Sequence, residues 1–70
     1  MMPLTLAKPG EEASIKRIGG KEDTRLFLQK LGFVPGAHVS VITEIHGNVI
    51  VNIKESRVAI SREMAARIMI

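Results

Sequence analysis

The sequence contains no cysteine, no tryptophan and no tyrosine, and these absences exclude several classes of function. Without cysteine, the chain can form neither a disulfide framework nor a thiolate site for zinc or an iron–sulfur cluster. A small domain of this kind is typical of a reducing compartment, so we expect a cytoplasmic protein. Two phenylalanines are the only aromatic residues, which leaves no aromatic groove for proline-rich peptides and few platforms for stacked bases.

Long hydrophobic runs are also missing. The longest apolar runs span three residues, for example at 26–28 and 49–51. A secretion signal needs an apolar core of about 7–15 residues, and a membrane-spanning helix needs about 18 or more. We therefore expect a protein that carries no such signal and is not inserted in a membrane.

The 70 residues predict one domain over residues 1–70, because domains typically run from about 50 to 250 residues. A hydrophobic share of 46% is too high for a disordered chain. The net charge of +3 favours a nucleic-acid partner at first sight. However, the basic residues form no stripe, and Lys16-Arg17 is their only adjacent pair. We expect no nucleic-acid partner, and a small basic nucleic-acid-binding barrel stays open as an alternative.

The first half of the chain consists of short elements separated by glycine and proline. Alternating apolar residues predict strands over residues 2–6 and 14–18, and the Gly19-Gly20 pair ends the second of them. Helix-forming residues with an acidic first turn predict a helix over residues 21–31. Gly32 then supplies the residue that ends this helix.

The predicted helix has one core face. Thr24, Phe27, Leu28 and Leu31 lie on that face at 100° per residue. Leu26 falls nearly opposite, among charged and amide side chains. It is therefore the one large apolar residue that we expect on the solvent side of the helix. A helix that lies across the barrel and is buried on two sides stays open as an alternative.

A β-hairpin is predicted for residues 38–53, with an apolar stripe on each strand. A three-residue loop at 45–47 aligns the two stripes and gives Gly47 the left-handed position that it favours. Ile42 then lies opposite Ile50 on the outer face. The pairs expected on the inner face are Thr43 with Val49, Val41 with Val51, and Val39 with Ile53.

The last third predicts a strand over residues 57–60, a helical turn over 62–67 capped by Ser61, and a strand over 68–70. The fold class is therefore mainly β, with several short strands and one inserted helix. Short strands separated by frequent turns predict a small barrel or sandwich, and closing a barrel removes exposed strand edges.

No arrangement of side chains predicts an enzyme. His38 and His46 lie eight residues apart on one strand, about 26 Å, too far to share a proton or a metal ion. The acidic pairs Glu11-Glu12 and Glu22-Asp23 are sequence neighbours whose side chains point apart. The glycines lack the spacing of phosphate-binding loops. We expect no catalytic residue, no cofactor, no small-molecule substrate and no dedicated metal site, although weak transition-metal binding by exposed carboxylates and histidines stays open.

Several segments occur in an order that resembles the FeoA family, the small cytosolic component of bacterial and archaeal ferrous iron uptake. The resemblance runs from about Leu4 to the end of the chain. Its most specific part is the stretch 25–36 followed by the alternating strand. The segments that carry it are Ile18-Gly19-Gly20, Arg25-Leu26, Leu31-Gly32-Phe33, Pro35-Gly36, Val58-Ala59-Ile60 and Ala65-Ala66-Arg67-Ile68.

The resemblance implies an SH3-like β-barrel of five to six short strands, with one α-helix after the second strand and a short helical turn before the last. It also implies a non-enzymatic accessory role and a partner, the membrane ferrous iron permease with its cytosolic GTPase domain. The same barrel occurs in iron-dependent repressors of the diphtheria-toxin type, but this chain lacks their helix-turn-helix. A metal-sensing SH3-like domain is a further alternative.

The matched residues divide by expected role. Arg25 and Leu26 match the helical R-L pair of the family, and with Ile42 and Ile50 on the outer sheet face they are the expected partner-binding residues. Leu31 is expected in the core. Turn and helix-stop roles are expected for Gly19, Gly20, Gly32, Pro35 and Gly36.

Overall fold

The structure is a computed structural model that describes residues 1–70. A 3-10 helix at Leu4–Leu6 precedes six strands and two α-helices. Neither α-helix combines the length and the apolar character that crossing a membrane requires. In chain order the elements are β1 (Glu12–Ser14), β2 (Arg17–Ile18), α1 (Glu22–Lys30), β3 (His38–Ile45), β4 (Asn48–Ile53), β5 (Ser56–Ser61), α2 (Arg62–Ala65) and β6 (Ile68–Met69).

The strands form two antiparallel sheets. The larger sheet has the order β1-β3-β4-β5, and the smaller one pairs β2 with β6. Only residues 15–16 separate β1 from β2, so the chain passes directly from one sheet to the other. Twelve buried residues, all apolar, form one core: Leu4, Ile15, Leu28, Phe33, Val39, Val41, Val49, Val51, Ile53, Ile60, Ala65 and Ile68. The predicted order, with a helix after the second strand and a helical turn before the last, is confirmed in its main features.

The strand predicted for residues 2–6 is wrong. The Leu6 N–H donates to the Pro3 carbonyl at 3.0 Å, and the segment forms the 3-10 helix, which buries Leu4 and leaves Leu6 exposed. Proline has no N–H to donate to a neighbouring strand, and Leu4 is the one leucine of the segment that packs in the core. Only the start of the segment pairs as a strand does. Met2 and Ile70 exchange backbone hydrogen bonds of 2.9 and 2.8 Å, and Pro3 forms an isolated bridge with Met69.

The strand predicted for residues 14–18 is divided in two. Ile15 lies between β1 and β2, is fully buried, and donates its N–H to the Ala37 carbonyl at 2.9 Å. The chain bends here so that β1 can pair with β3 while β2 pairs with β6. This bend explains the imperfect alternation of the segment.

Helix α1 ends in a Schellman motif. The Gly32 N–H donates to the Gln29 carbonyl and the Phe33 N–H donates to the Leu28 carbonyl, both at 3.0 Å. Gly32 has φ +105°, a conformation that this C-terminal cap requires. The motif also brings Leu28 and Phe33 together in the core, where both have no exposed surface.

The core face predicted for α1 is partly wrong. Leu28 is buried, and Thr24 and Leu31 are half-buried, but 47% of Phe27 is exposed. The contact of the helix is centred on Leu28, and Phe27 lies about 100° around the helix axis from it. Phe33 supplies the aromatic ring of the core instead. Leu26 is 49% exposed, on the solvent side as expected.

The hairpin of β3 and β4 has the predicted register at its open end only. The pairs Val39–Ile53 and Val41–Val51 are confirmed. The register then shifts between Val41 and Thr43, so that Thr43 faces Ile50 and the predicted Thr43–Val49 pair is wrong. The predicted Ile42–Ile50 pair is also wrong, because Ile42 is the extra residue of a β-bulge.

The bulge shortens the hairpin loop by one residue. Ile45 pairs with Asn48, which leaves a two-residue turn at His46 and Gly47 instead of the predicted three-residue loop. Both turn residues have positive φ, 48° and 79°, as expected for the type I′ turn that suits the twist of two-residue hairpins.

The Ser61 cap of α2 is present as predicted, and its side-chain oxygen accepts a hydrogen bond of 3.1 Å from the Met64 N–H. We expect Ser61→Ala to lower the free energy of unfolding by about 1 kcal/mol, the usual value of such a cap. Ser56→Ala, at the other exposed end of β5, is the control and should change it by less than about 0.5 kcal/mol. Urea denaturation of both variants measures the difference, and equal midpoints would contradict a role for the cap.

Candidate functional site

The ionisable side chains make two separate contacts of opposite polarity, one of them an ion pair. Arg62 Nη1 lies 2.8 Å from both carboxylate oxygens of Glu44 and ties α2 to β3. His38 Nδ1 lies 3.5 Å from Glu12 Oε1, across the β1–β3 pair. No group of three or more histidine and acidic side chains is arranged to hold a metal ion. The features of the surface that remain are its shape and its exposed apolar side chains.

A shallow groove of about 480 Å³ lies between α1 and the segment that follows it. Strand β2 contributes to its lining as well. Four of the nine lining residues are hydrophobic, and arginine, which is enriched in protein interfaces, occurs twice among the others. The lining residues are Arg17, Ile18, Glu22, Arg25, Leu26, Gln29, Phe33, Val34 and Pro35.

The helical wall of the groove follows from the spacing of its residues. Glu22, Leu26 and Gln29 occur at i, i+4 and i+7, so they lie along one side of α1. Leu28 anchors the opposite side of the helix in the core. This arrangement leaves the aliphatic side chain of Leu26 at the surface and directs it to the groove.

The second wall is built by the helix stop. Gly32 turns the chain so that Phe33 enters the core while Val34 and Pro35 stay nearer the surface. Two backbone hydrogen bonds hold the following residues in place. The Gly36 N–H donates to the Ile15 carbonyl at 2.8 Å, and the Ala37 N–H donates to the Val34 carbonyl at 3.0 Å.

Two of the four expected partner-binding residues lie in this groove. Arg25 and Leu26 both line it. Ile42 and Ile50 do not, and lie on the larger sheet, where Ile42 is 36% exposed and Ile50 is half-buried. The structure therefore does not unite the helix pair and the sheet pair in one site.

Of the expected turn and helix-stop residues, Pro35 contributes directly to the groove. Gly20 and Gly36, like Gly32, have positive φ. Gly19 donates its N–H to the Arg67 carbonyl at 2.7 Å, and Leu31 is half-buried against the core. These residues shape the elements around the groove.

Several lining residues were not predicted from the sequence. The helical spacing of Glu22, Leu26 and Gln29 contained the signal for the α1 wall. In contrast, Arg17 and Ile18 belong to β2, which pairs with β6, and no periodic pattern in the sequence assigns these two residues to the groove.

Known proteins are similar to this chain over nearly all of its length. The FeoA domain model matches residues 2–70. A candidate Fe(2+) transport protein A of Methanocaldococcus jannaschii is 37% identical over 70 residues, which are 100% of this chain and 85% of that protein.

Solved structures share the architecture. The crystal structure of an iron uptake regulatory protein (FeoA) superimposes with a TM-score of 0.85 at 28% identity, over 94% of this chain and 89% of that one. The zinc complex of FeoA from Stenotrophomonas maltophilia, described as a prokaryotic SH3 domain protein, gives a TM-score of 0.84 at 20% identity, over 99% and 88% of the chains. At 20% identity the second likeness bears on the fold alone, and it confirms the predicted SH3-like barrel.

Proposed function

This chain belongs to the FeoA family, and from that premise we propose that it is a non-enzymatic accessory protein of ferrous iron uptake that acts in the cytoplasm by binding another protein. The partner that we propose is the cytosolic GTPase domain of a membrane ferrous iron permease, which the family resemblance implies. The relative that is 37% identical supports the assignment to iron transport through its name.

The groove beside α1 is the observation that supports a role through contact. Leu26 is a large aliphatic residue with half of its surface in water, and it lines a concave surface next to two arginines. Fully burying a leucine side chain contributes about 1.5–3 kcal/mol, and Leu26 keeps about half of that gain available for a partner. Arginine is one of the residues that contribute most often to the binding energy of protein interfaces, and Leu26 adds exposed apolar surface beside two of them.

The experiment compares two neighbouring residues of α1. We expect Leu26→Ala to weaken binding to the GTPase domain about tenfold, or about 1.4 kcal/mol, because the variant removes the anchor. Phe27→Ala is the matched control, since Phe27 is equally exposed on the same helix but does not line the groove. It should change the affinity by less than about twofold, or about 0.4 kcal/mol. Isothermal titration calorimetry measures both.

Three outcomes of the calorimetry would contradict the proposal at different levels. No binding by the unmodified chain would remove the GTPase domain as its partner. Equal losses from Leu26→Ala and Phe27→Ala, in variants whose circular dichroism matches that of the parent, would remove the groove as the contact. An unchanged affinity in Leu26→Ala would do the same.

The sheet residues Ile42 and Ile50 are proposed as a second, separate contact. Because they share no groove with Leu26, the free-energy effects of Ile42→Asp and Leu26→Ala should add to within about 0.5 kcal/mol in the double variant. If Leu26→Ala lowers the affinity for the GTPase domain and Ile42→Asp leaves that affinity unchanged, the interface is restricted to the groove.

A further inference from the structure

Two arginines of the groove have no partner within the protein. Glu44 contacts Arg62 and Glu12 contacts His38, and no carboxylate lies within 4.0 Å of a guanidinium nitrogen of Arg17 or Arg25, so both guanidinium groups are unpaired. Both are exposed, and both line the groove. We propose that the groove binds a short acidic peptide segment, whose carboxylates pair with Arg17 and Arg25 while an aliphatic side chain packs on Leu26. The inference rests on the proposed function for the identity of the partner, but the chemistry of the segment follows from the groove.

The charge of the lining selects an anionic ligand. Arg17 and Arg25 contribute two positive charges against the single negative charge of Glu22. A guanidinium group donates two parallel hydrogen bonds to a carboxylate, so a planar acidic side chain matches it in shape as well as in charge. Glu22 lies in the first turn of α1, where the helix dipole already favours its negative charge.

The apolar part of the lining selects a peptide. Leu26 is exposed and Ile18 and Val34 are half-buried, which gives the ligand aliphatic surface in the same groove as the two charges. A nucleic acid has no aliphatic side chain to place there, and the one aromatic residue of the groove, Phe33, has no exposed surface on which a base could stack. The volume of about 480 Å³ falls within the range of about 300–1,000 Å³ that is typical of ligand sites, so it suits a short segment.

The test uses a phage-displayed library of random 12-residue peptides, selected against the full chain. We expect the enriched peptides to combine Asp or Glu with Leu, Ile or Met. A fluorescein-labelled enriched peptide should then bind the variant Arg17→Ser/Arg25→Ser at least tenfold more weakly than the parent, as measured by anisotropy. The control Lys16→Ser/Lys30→Ser loses the same charge from exposed positions outside the groove, and it should differ from the parent by less than twofold.

Several results would overturn the proposal. An absence of enriched peptides, or enriched peptides without carboxylates, would contradict it at the selection. Equal losses of affinity in the two double variants would remove Arg17 and Arg25 from the contact. Displacement of the peptide by a 12-nucleotide oligo(U) would assign the groove to nucleic acid. The single variant Arg25→Ser is measured alongside, in case the double variant does not fold. The selection contains no GTPase domain. If the chain does not bind that domain, the proposed function is contradicted but the acidic-peptide proposal is not. If the peptide selection fails, the acidic-peptide proposal is contradicted but the proposed function is not.

Discussion

Phe33→Ala is expected to lower the free energy of unfolding by about 3–5 kcal/mol, the usual cost of removing a buried aromatic ring. Phe33 has no exposed surface and is the only aromatic residue of the core. At about 0.05–0.15 kcal/mol per residue, a chain of this length has a total stability of roughly 3.5–10 kcal/mol. The substitution should therefore remove about 30% of the stability or more, and it should leave a large unfolded fraction if the stability is at the lower end.

The only other phenylalanine of the chain is its control. Phe27 is 47% exposed and lies outside the core, so Phe27→Ala should cost less than about 1 kcal/mol. Urea denaturation followed by circular dichroism measures both variants under the same conditions. Equal losses would show that Phe27 is packed in the core, as the helical wheel of α1 suggested.

Gly32→Ala is expected to cost about 1–3 kcal/mol, because φ +105° is a conformation that residues with a side chain rarely adopt. A Cβ atom at this position would lie 3.3 Å from Cδ of Lys54, which is part of a flexible side chain and can move away. The expected cost is therefore a cost of the backbone. For a domain of this size, each 1 kcal/mol lowers the melting temperature by roughly 4–8 °C, so a thermal melt detects it readily.

Two other glycines separate the possible causes. Gly36 has φ +91°, and a Cβ atom added there would meet no atom within 4 Å, so Gly36→Ala isolates the backbone cost and should resemble Gly32→Ala. Gly19 does not have positive φ, and its Cβ would make an ordinary contact of 3.7 Å with the Arg67 carbonyl oxygen. Gly19→Ala should change the stability by less than about 0.5 kcal/mol. A full loss at Gly32 with none at Gly36 would point to the contact with Lys54 instead.

The sequence alone predicts the structure correctly where one local interaction determines it. The helix predicted for residues 21–31 is observed at Glu22–Lys30, because its acidic first turn and Gly32 define both ends locally. The Ser61 cap is likewise a contact over three residues. In these cases the chemistry of neighbouring residues is enough to predict where the element begins and ends.

The predictions are wrong where contacts with residues distant in the sequence determine the structure. Alternation in residues 2–6 resembles a strand, but burying Leu4 in the core overrides it. The bulge at Ile42 changes the register of the hairpin tip without any signature in the alternation of β3. For the groove, helical geometry places Leu26 at the surface, whereas the position of Arg17 depends on the pairing of β2 with β6 and cannot be read from its neighbours.

The hydrogen bonds between Met2 and Ile70 have a practical consequence for protein engineering. A pair of residues that exchange both backbone hydrogen bonds has Cα atoms only about 5.5 Å apart. A linker of a few glycines can therefore join these two positions into a continuous ring, and new ends can be opened at the exposed turn of Lys54 and Glu55. Residues 2–70 can therefore be circularly permuted, with the new ends in this turn.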